Sequence, residues 1–505
     1  MKKLLFIFAI LFLCGCESKT PEKPVVQVVF VINNTSYNLT EEAYNNIVAY
    51  LEYLSEYYRN EEQSEQVIET ITNLIAEGFA DKASEEVINL QDVETIIDEA
   101  QKIAEQKPEV PVMPGLDELG NAPLTVLAYL VANNNLDDDL LVNIGTMYDG
   151  LAAMDKQATL LVYWDGVTAI GANRATHLIL KYETDGKGNV NGLPALDAST
   201  PLDDVLEVGE IVKEYSSQLS TSKDVMTKVL KDMVALSPTD RVGFVAGSHG
   251  SSWLHTIYTS GSRAFGQDGK GTDNSIVLKD IVASMSATGK KFDFLLFDAC
   301  YMGSVEVCYE FKDVVDYQIL SVMEVPAYGF PYDGFMTDLY KGDVEGYKQV
   351  CEAYIDYYVK SYQAGNSAWA TISLIDSKQV SPLVSAIKGQ ITTHTDALAD
   401  YNVSGLQEYG RSSGQHIAYD LGHFVSDLNG GQMPDAFKTQ LDKAVLYKGC
   451  LEKARPASYA VDPTNYCGLG IYIPVSNRSK WNNYFKTLDW YTASGWNEVT
   501  FSWNF

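Results

Sequence analysis

Positive charge is scarce in this chain. Across 505 residues, 37 Lys and Arg face 67 Asp and Glu, for a formal charge of −30. Such an imbalance excludes a nucleic-acid phosphate backbone as partner and disfavours electrostatic docking on anionic lipid. Long apolar runs are lacking too: no stretch of about 18 apolar residues occurs, so no membrane-crossing helix is expected. Histidines number six and cysteines seven, with no C-x-x-C pair and no His-rich tract, and a zinc site is not expected. Internal repeats and low-complexity tracts are absent as well. What remains is a foldable composition, 46% hydrophobic and 21% charged, long enough for roughly two to four domains.

The first residues read as an address. Met1-Lys2-Lys3 is a positive head, and Leu4 to Leu13 is an apolar core too short to span a bilayer stably. It ends in Leu13-Cys14-Gly15-Cys16, which resembles a bacterial lipobox. On that resemblance residues 1–16 are a lipoprotein signal peptide, and Cys16 is the lipidated first residue of an exported protein. That protein would sit in the cell envelope, anchored by lipid to a bacterial membrane. Residues 17–37 hold a polar tether (ESKTPEKP) and a possible short strand, VQVVFVINNTSY. Five cysteines follow the anchor, an odd number, so at least one is unpaired within the chain.

Residues 38–107 carry helical periodicity. Tyr44, Ile47, Val48, Leu51 and Leu54 share a face, as do Val67, Ile68, Ile71, Leu74 and Ile75, and then Val93, Ile96, Ile97, Ala100, Ile103 and Ala104. Three amphipathic helices packed as a small bundle are expected. Pro108, Pro111, Pro114, Gly115 and Gly120 mark residues 108–122 as a linker.

From 123 to 505 the texture changes. LTVLAYLV, ATLLVYW, THLILKY, RVGFVAG, FDFLLF and TISLI are short, nearly unbroken apolar runs, suited to strands buried on both faces. Helical patterns alternate with them. In TSKDVMTKVLKDMVAL, Thr221 and Asp224 read as a capping box ahead of the stripe Val225, Met226, Val229, Leu230 and Met233. The alternation predicts an α/β sandwich with a mostly parallel sheet and its chemistry at the strands' carboxyl ends.

Two of those ends carry reactive side chains. RVGFVAG runs into Ser248-His249-Gly250, and FDFLLF runs into Asp298-Ala299-Cys300. Fifty-one residues separate His249 from Cys300, room for one right-handed crossover that makes the two strands neighbours. A cysteine attacks as a thiolate, and a nearby imidazole takes its proton. His249 is then the base and the acid for the leaving group. Gly250 leaves room for substrate and offers a backbone N–H to an oxyanion. Asp298, two residues before the thiol, supplies a fixed negative charge for a cationic substrate side chain. His177, His255, His394, His416 and His423 lack this context.

His-Gly after one apolar block and Ala-Cys after another resembles the clan CD cysteine peptidases, and the longer text resembles the clostripain family. The carrying segments are TVLAYLVANNNLDDDL (125–140), SHGSSW, DACYMGSVEVCYEFKDVVDYQILSVMEVPAYGFPYDG (298–334), HIAYDLGHFVSDL (416–428) and CGLGIYIPVSN (467–477). The resemblance covers roughly 123–503. It implies a caspase- and gingipain-like α/β/α sandwich, a His249–Cys300 dyad and an acidic primary pocket using Asp298. Cleavage after Arg or Lys would follow. It also implies self-cleavage between the two catalytic residues, with Arg263 the best-matching site and Lys270 second. Calcium dependence is known in the family, but no EF-hand pattern occurs, so no metal ligands are assigned and no cofactor is required by the residues themselves. One departure concerns the cleft loop. Ser321-Val322-Met323-Glu324 stands where the family reads something like Ser-Gln-Glu, which leaves pocket depth and Arg-versus-Lys preference open.

Two rival readings exist. Ala246-Gly247-Ser248-His249-Gly250 fits a degenerate nucleophile elbow, which would make Ser248 a hydrolase nucleophile with Asp420 and His423 downstream. Alternatively the α/β domain is the scaffold of a lipid-anchored binding protein, with 32 tyrosines and seven tryptophans for a surface.

Overall fold

The structure is a computed structural model. It describes residues 27–32, 35–40, 43–44, 46–48, 50–51, 64–80, 87–89, 91–93, 95–97, 123–171, 175–197, 200–254, 265–269, 274–409 and 417–503. Cys16, Arg263 and Lys270 lie outside them, as do His255 and His416. The chain divides into two compact units, residues 1–122 and 123–505.

In the first unit, β1 (Gln27–Ile32) pairs antiparallel with β2 (Thr35–Thr40), and β2 pairs parallel with β3 (Val87–Ile88). The helix Ser64–Ala80 buries Leu74, Ile75 and Phe79 in a core shared with Phe30, Tyr37, Leu39, Ile47, Ile96 and Ile97. Helical residues fall within each of the three striped stretches, at 43–51, 64–80 and 91–97 among the described residues, and the three-stranded sheet accompanies them. In Thr35–Thr40 it is Tyr37 and Leu39 that turn inward, a period of two that marks a strand, and this stretch runs into the region expected to be helical.

The second unit is a three-layer α/β sandwich. Its strands are β4 (Leu124–Ala132), β5 (Gln157–Ile170), β6 (Ala175–Asp185), β7 (Asn189–Val190), β8 (Leu193–Pro194), β9 (Glu210–Glu214), β10 (Arg241–Gly247), β11 (Phe292–Asp298), β12 (Val315–Leu320), β13 (Thr371–Asp376), β14 (Glu408–Tyr409), β15 (Ala418–Asp420), β16 (Val445–Cys450) and β17 (Gly470–Ile471). Eleven of them form one sheet in the order β16-β13-β12-β11-β10-β4-β5-β6-β7-β8, with β9 beside β6. The central five, β12 to β5, are mutually parallel, and β13, β16, β6, β7, β8 and β9 join antiparallel. All nine residues of β4 are buried, as a strand covered on both faces requires.

Helices Asp137–Ala152 and Val344–Gln363 pack into the core on one side of the sheet. Lys223–Leu236, Leu278–Ser286, Val305–Phe311 and Val380–Thr393 pack into the other. Helix Lys223–Leu236 buries Met226, Val229, Leu230 and Met233, but its cap is Ser222, whose side chain accepts the Val225 N–H, and not Thr221, which is buried beside it. From β4 the chain passes to β5 on one side and later returns to β10 on the other. The strand order reverses there, and a crevice opens beyond the carboxyl ends of β4 and β10.

Candidate active site

His249 and Cys300 reach this crevice because their strands are neighbours in register. In the parallel pair β10–β11, Gly247 lies opposite Asp298, so each reactive residue stands two positions past its strand end. The Ser248 N–H continues the ladder to the Asp298 carbonyl at 3.2 Å. The two loops then lock together. Ser252 Oγ and Ser304 Oγ are 2.8 Å apart, and Ser304 caps the helix that follows the cysteine. Gly250 is pressed against the second loop: a Cβ there would stand 2.6 Å from the Cys300 carbonyl oxygen and 3.2 Å from its nitrogen. Any other residue would force the loops apart. Tyr301 holds a left-handed backbone at φ 64°, a strained conformation fixed by its N–H to the Met323 carbonyl and its hydroxyl to Glu324.

His249, Gly250, Asp298 and Cys300 line one cleft of about 450 Å³. Cys300 is half-buried, with its Sγ 3.7 Å from the Val325 carbonyl oxygen. The Nε2 of His249 lies 2.9 Å from Asn135 Oδ1. Asp298 is buried at 6% exposure and takes hydrogen bonds from the Tyr332 hydroxyl at 3.0 Å and the Phe330 N–H at 3.3 Å. Both donors are neutral. Desolvation dominates, and its carboxyl is pushed up to about 6 although those bonds pull the other way. Gly329 admits the closely approaching chain, since at φ 74° its Cβ would stand 2.6 Å from Asp298 Oδ2. Among the described residues, the cleft lining includes the acids Asp298 and Glu324 and no Lys or Arg.

The other thiols lie in different surroundings. Cys308, Cys351 and Cys467 are buried, and burial pushes each well above the usual thiol range. Cys450, half-buried, is pushed up to about 11 by the same cause. Cys300, Cys308, Cys351, Cys450 and Cys467 form no disulfide.

Ser248 is not placed as a nucleophile. It is buried, and its hydroxyl donates to the Val131 carbonyl at 2.7 Å. Asp420 instead caps the helix Leu421–Leu428 by accepting the His423 N–H, and it also accepts the Cys467 N–H and the Tyr409 hydroxyl. His423 lines a separate cavity. His177 is buried 3.2 Å from Asp165, and His394 bonds the Gln390 carbonyl of its own helix.

Among the cleft residues to which sequence reasoning gave no role are Asn135, Asn143 and Trp369. Asn143 holds the Tyr328 carbonyl at 2.9 Å, and the Trp369 indole N–H donates to the Glu324 carbonyl at 3.0 Å. Asn135 alone had a usable signal, since it sits in an asparagine-rich turn at the carboxyl end of an apolar run. As for a metal, no group of three or more His, Cys, Asp or Glu side chains is gathered to hold one among the described residues.

The model of the clostripain family, Peptidase_C11, matches residues 128–503. Among solved structures, the chain is similar to a secreted C11 cysteine protease from Bacteroides thetaiotaomicron in complex with an irreversible peptide inhibitor, at 26% identity. That match covers 75% of this chain and 100% of the other, with a TM-score of 0.59. It is also similar to an inactive zymogen C11 protease from Parabacteroides distasonis, at 25% identity and TM-score 0.58, covering 74% and 98%. None of the curated proteins matches.

Proposed function

This chain belongs to the clostripain family of cysteine peptidases, and from that premise we propose that it is an endopeptidase cleaving after Arg or Lys with Cys300 as nucleophile and His249 as base. The observation that carries the specificity is the buried Asp298, whose carboxylate accepts from two neutral donors, in the same cleft as the half-buried thiol and the imidazole.

These groups and one water molecule suffice for hydrolysis. His249 takes the proton of the Cys300 thiol as Sγ bonds to the carbonyl carbon of the basic residue. The oxyanion that forms accepts the Gly250 N–H. The C–N bond then breaks, the imidazolium hands its proton to the departing amine, and a thioester remains. Water, deprotonated by His249, attacks the thioester and releases the new carboxyl end and the thiol. Asp298 meets the guanidinium or ammonium of the residue before the cut, a charge-assisted contact in a desolvated place.

The enzyme is made as a precursor in this reading. The similar Parabacteroides protein is a zymogen, and Arg263, then Lys270, are the basic residues that fit self-cleavage between His249 and Cys300. On incubation, purified protein should yield a new N-terminus beginning at Ala264, read by N-terminal sequencing, with activity on Arg- and Lys-amide reporters rising in step. Cys300→Ala should remain one chain. Wild-type protein cut by added trypsin at that loop and still inert on both reporters would overturn the basic specificity.

Export and a lipid anchor at Cys16 complete the reading. The similar Bacteroides protease is secreted, and no described helix is long and apolar enough to cross a membrane. In a bacterial host the wild type should fractionate with membranes and partition into Triton X-114. Cys16→Ser should leave the detergent phase, and a wild type found only in the aqueous phase would remove the anchor.

A further inference from the structure

A base works only when its unprotonated nitrogen faces the thiol, and a neutral imidazole can put its proton on either nitrogen. Something must choose the tautomer and stop the ring from turning. Resting on the role proposed above for His249, we infer that Asn135 is its positioning residue, setting both tautomer and orientation through the 2.9 Å contact between Asn135 Oδ1 and His249 Nε2. With the amide oxygen toward the ring, Nε2 carries the proton and Nδ1 is left as the base.

The backbone under Asn135 is built to hold it there. It belongs to the turn that leaves β4, on the far side of the switch point from β10, so it approaches the ring from the neighbouring strand end. Two preceding asparagines tie that turn down. Asn134 donates to the Val131 carbonyl at 3.0 Å and the Gln267 carbonyl at 2.8 Å, while its own side-chain oxygen accepts the Leu136 N–H. Asn133 donates to Asp268 Oδ1 at 2.9 Å, and its carbonyl accepts the Gly269 N–H at 2.7 Å. The segment Phe265–Gly269 returns to the histidine, because the Gly266 N–H donates to the His249 carbonyl at 2.8 Å. Backbone and ring of His249 are therefore held from one bonded unit.

Chemistry favours an amide over a carboxylate here. A neutral acceptor fixes the ring without the negative charge of a carboxylate, which would favour the imidazolium over the free base. The contact is exposed at the rim of the cleft, and a peptide lying over it would exclude water and strengthen it.

The test uses the full-length processed enzyme and Arg-amide reporters. Asn135→Ala should lose about 10- to 100-fold in kcat, the scale of losing an orienting partner. Asn135→Asp keeps an acceptor and adds charge. It should recover much of that loss near pH 8, and the acid limb of kcat should move to higher pH because a carboxylate holds His249 protonated longer. A purely structural role would lower activity without moving the limb. His249→Ala is the separate control: an active His249→Ala refutes the base itself. An inactive His249→Ala beside a fully active Asn135→Ala overturns only the positioning role. So does loss in both Asn135 variants with an unmoved limb while each unfolds at the wild-type temperature.

Discussion

Replacing Cys300 by alanine should abolish hydrolysis of Arg- and Lys-amide reporters, with kcat/KM falling on the order of 10⁴-fold or more, as when any covalent nucleophile is lost. The fold should tolerate the change. Cys300 is half-buried with a long thiol contact to the Val325 carbonyl, so its truncation should cost under about 1 kcal/mol. Inactivity in a protein with an unchanged melting temperature would then report on chemistry. Labelling should agree. Iodoacetamide near pH 7.5 should modify Cys300 first, because Cys308, Cys351 and Cys467 are buried with strongly raised pKa values and Cys450 is raised to about 11. Retained turnover in Cys300→Ala would sink the thiol mechanism, and labelling by a fluorophosphonate at Ser248 would revive the serine one. The second outcome runs against the geometry, in which the Ser248 hydroxyl is buried and engaged by the Val131 carbonyl.

Much of this arrangement was legible because parallel sheets write themselves plainly. Strands covered on both faces need continuous apolar runs, and their carboxyl ends are where polar residues break off. RVGFVAG and FDFLLF became β10 and β11 as neighbours, with Gly247 opposite Asp298, so His249 and Cys300 could be put on one rim from their spacing. The separate three-stranded sheet β14-β15-β17 was less legible. Short pairs such as Glu408–Tyr409 with Ala418–Asp420 have too few residues for a period to emerge. In the first unit the expected strand ended at residue 37, three residues short of the end of Thr35–Thr40, because the polar Asn38 and Thr40 leave its period of two faint. Contacts across the cleft were the least legible of all. Trp369 meets the Glu324 carbonyl and Asn143 meets the Tyr328 carbonyl only because distant segments fold over one another, and no local pattern encodes that.

Asp298 tests the specificity, and its two expected effects run in opposite directions. Asp298→Asn should cut kcat/KM for Arg- and Lys-amides about 10²- to 10⁴-fold, because a desolvated cation would lose its partner. Uncharged reporters should not suffer this loss. Stability should rise instead. Burial lifts the folded pKa to about 6, above an unfolded value near 3.9. The folded state therefore holds more protons between about pH 4 and 6, and stability falls as pH rises through that window. At pH 7 the ionised carboxylate costs on the order of 2 kcal/mol, and asparagine removes that charge while still able to accept from Tyr332 and Phe330. Urea titrations should show the variant more stable than wild type at pH 7, with the gap closing below about pH 4. The same ionisation shapes catalysis. KM for a basic reporter should rise as pH drops through about 6 in the wild type and stay flat in Asp298→Asn, whereas the acid limb set by His249 should appear in kcat for both. A variant that keeps its preference for basic residues would show that another acid reads them, and Glu324 on the same cleft is the next to replace. Gained stability alongside lost recognition is the signature of a carboxylate kept buried for its substrate's charge.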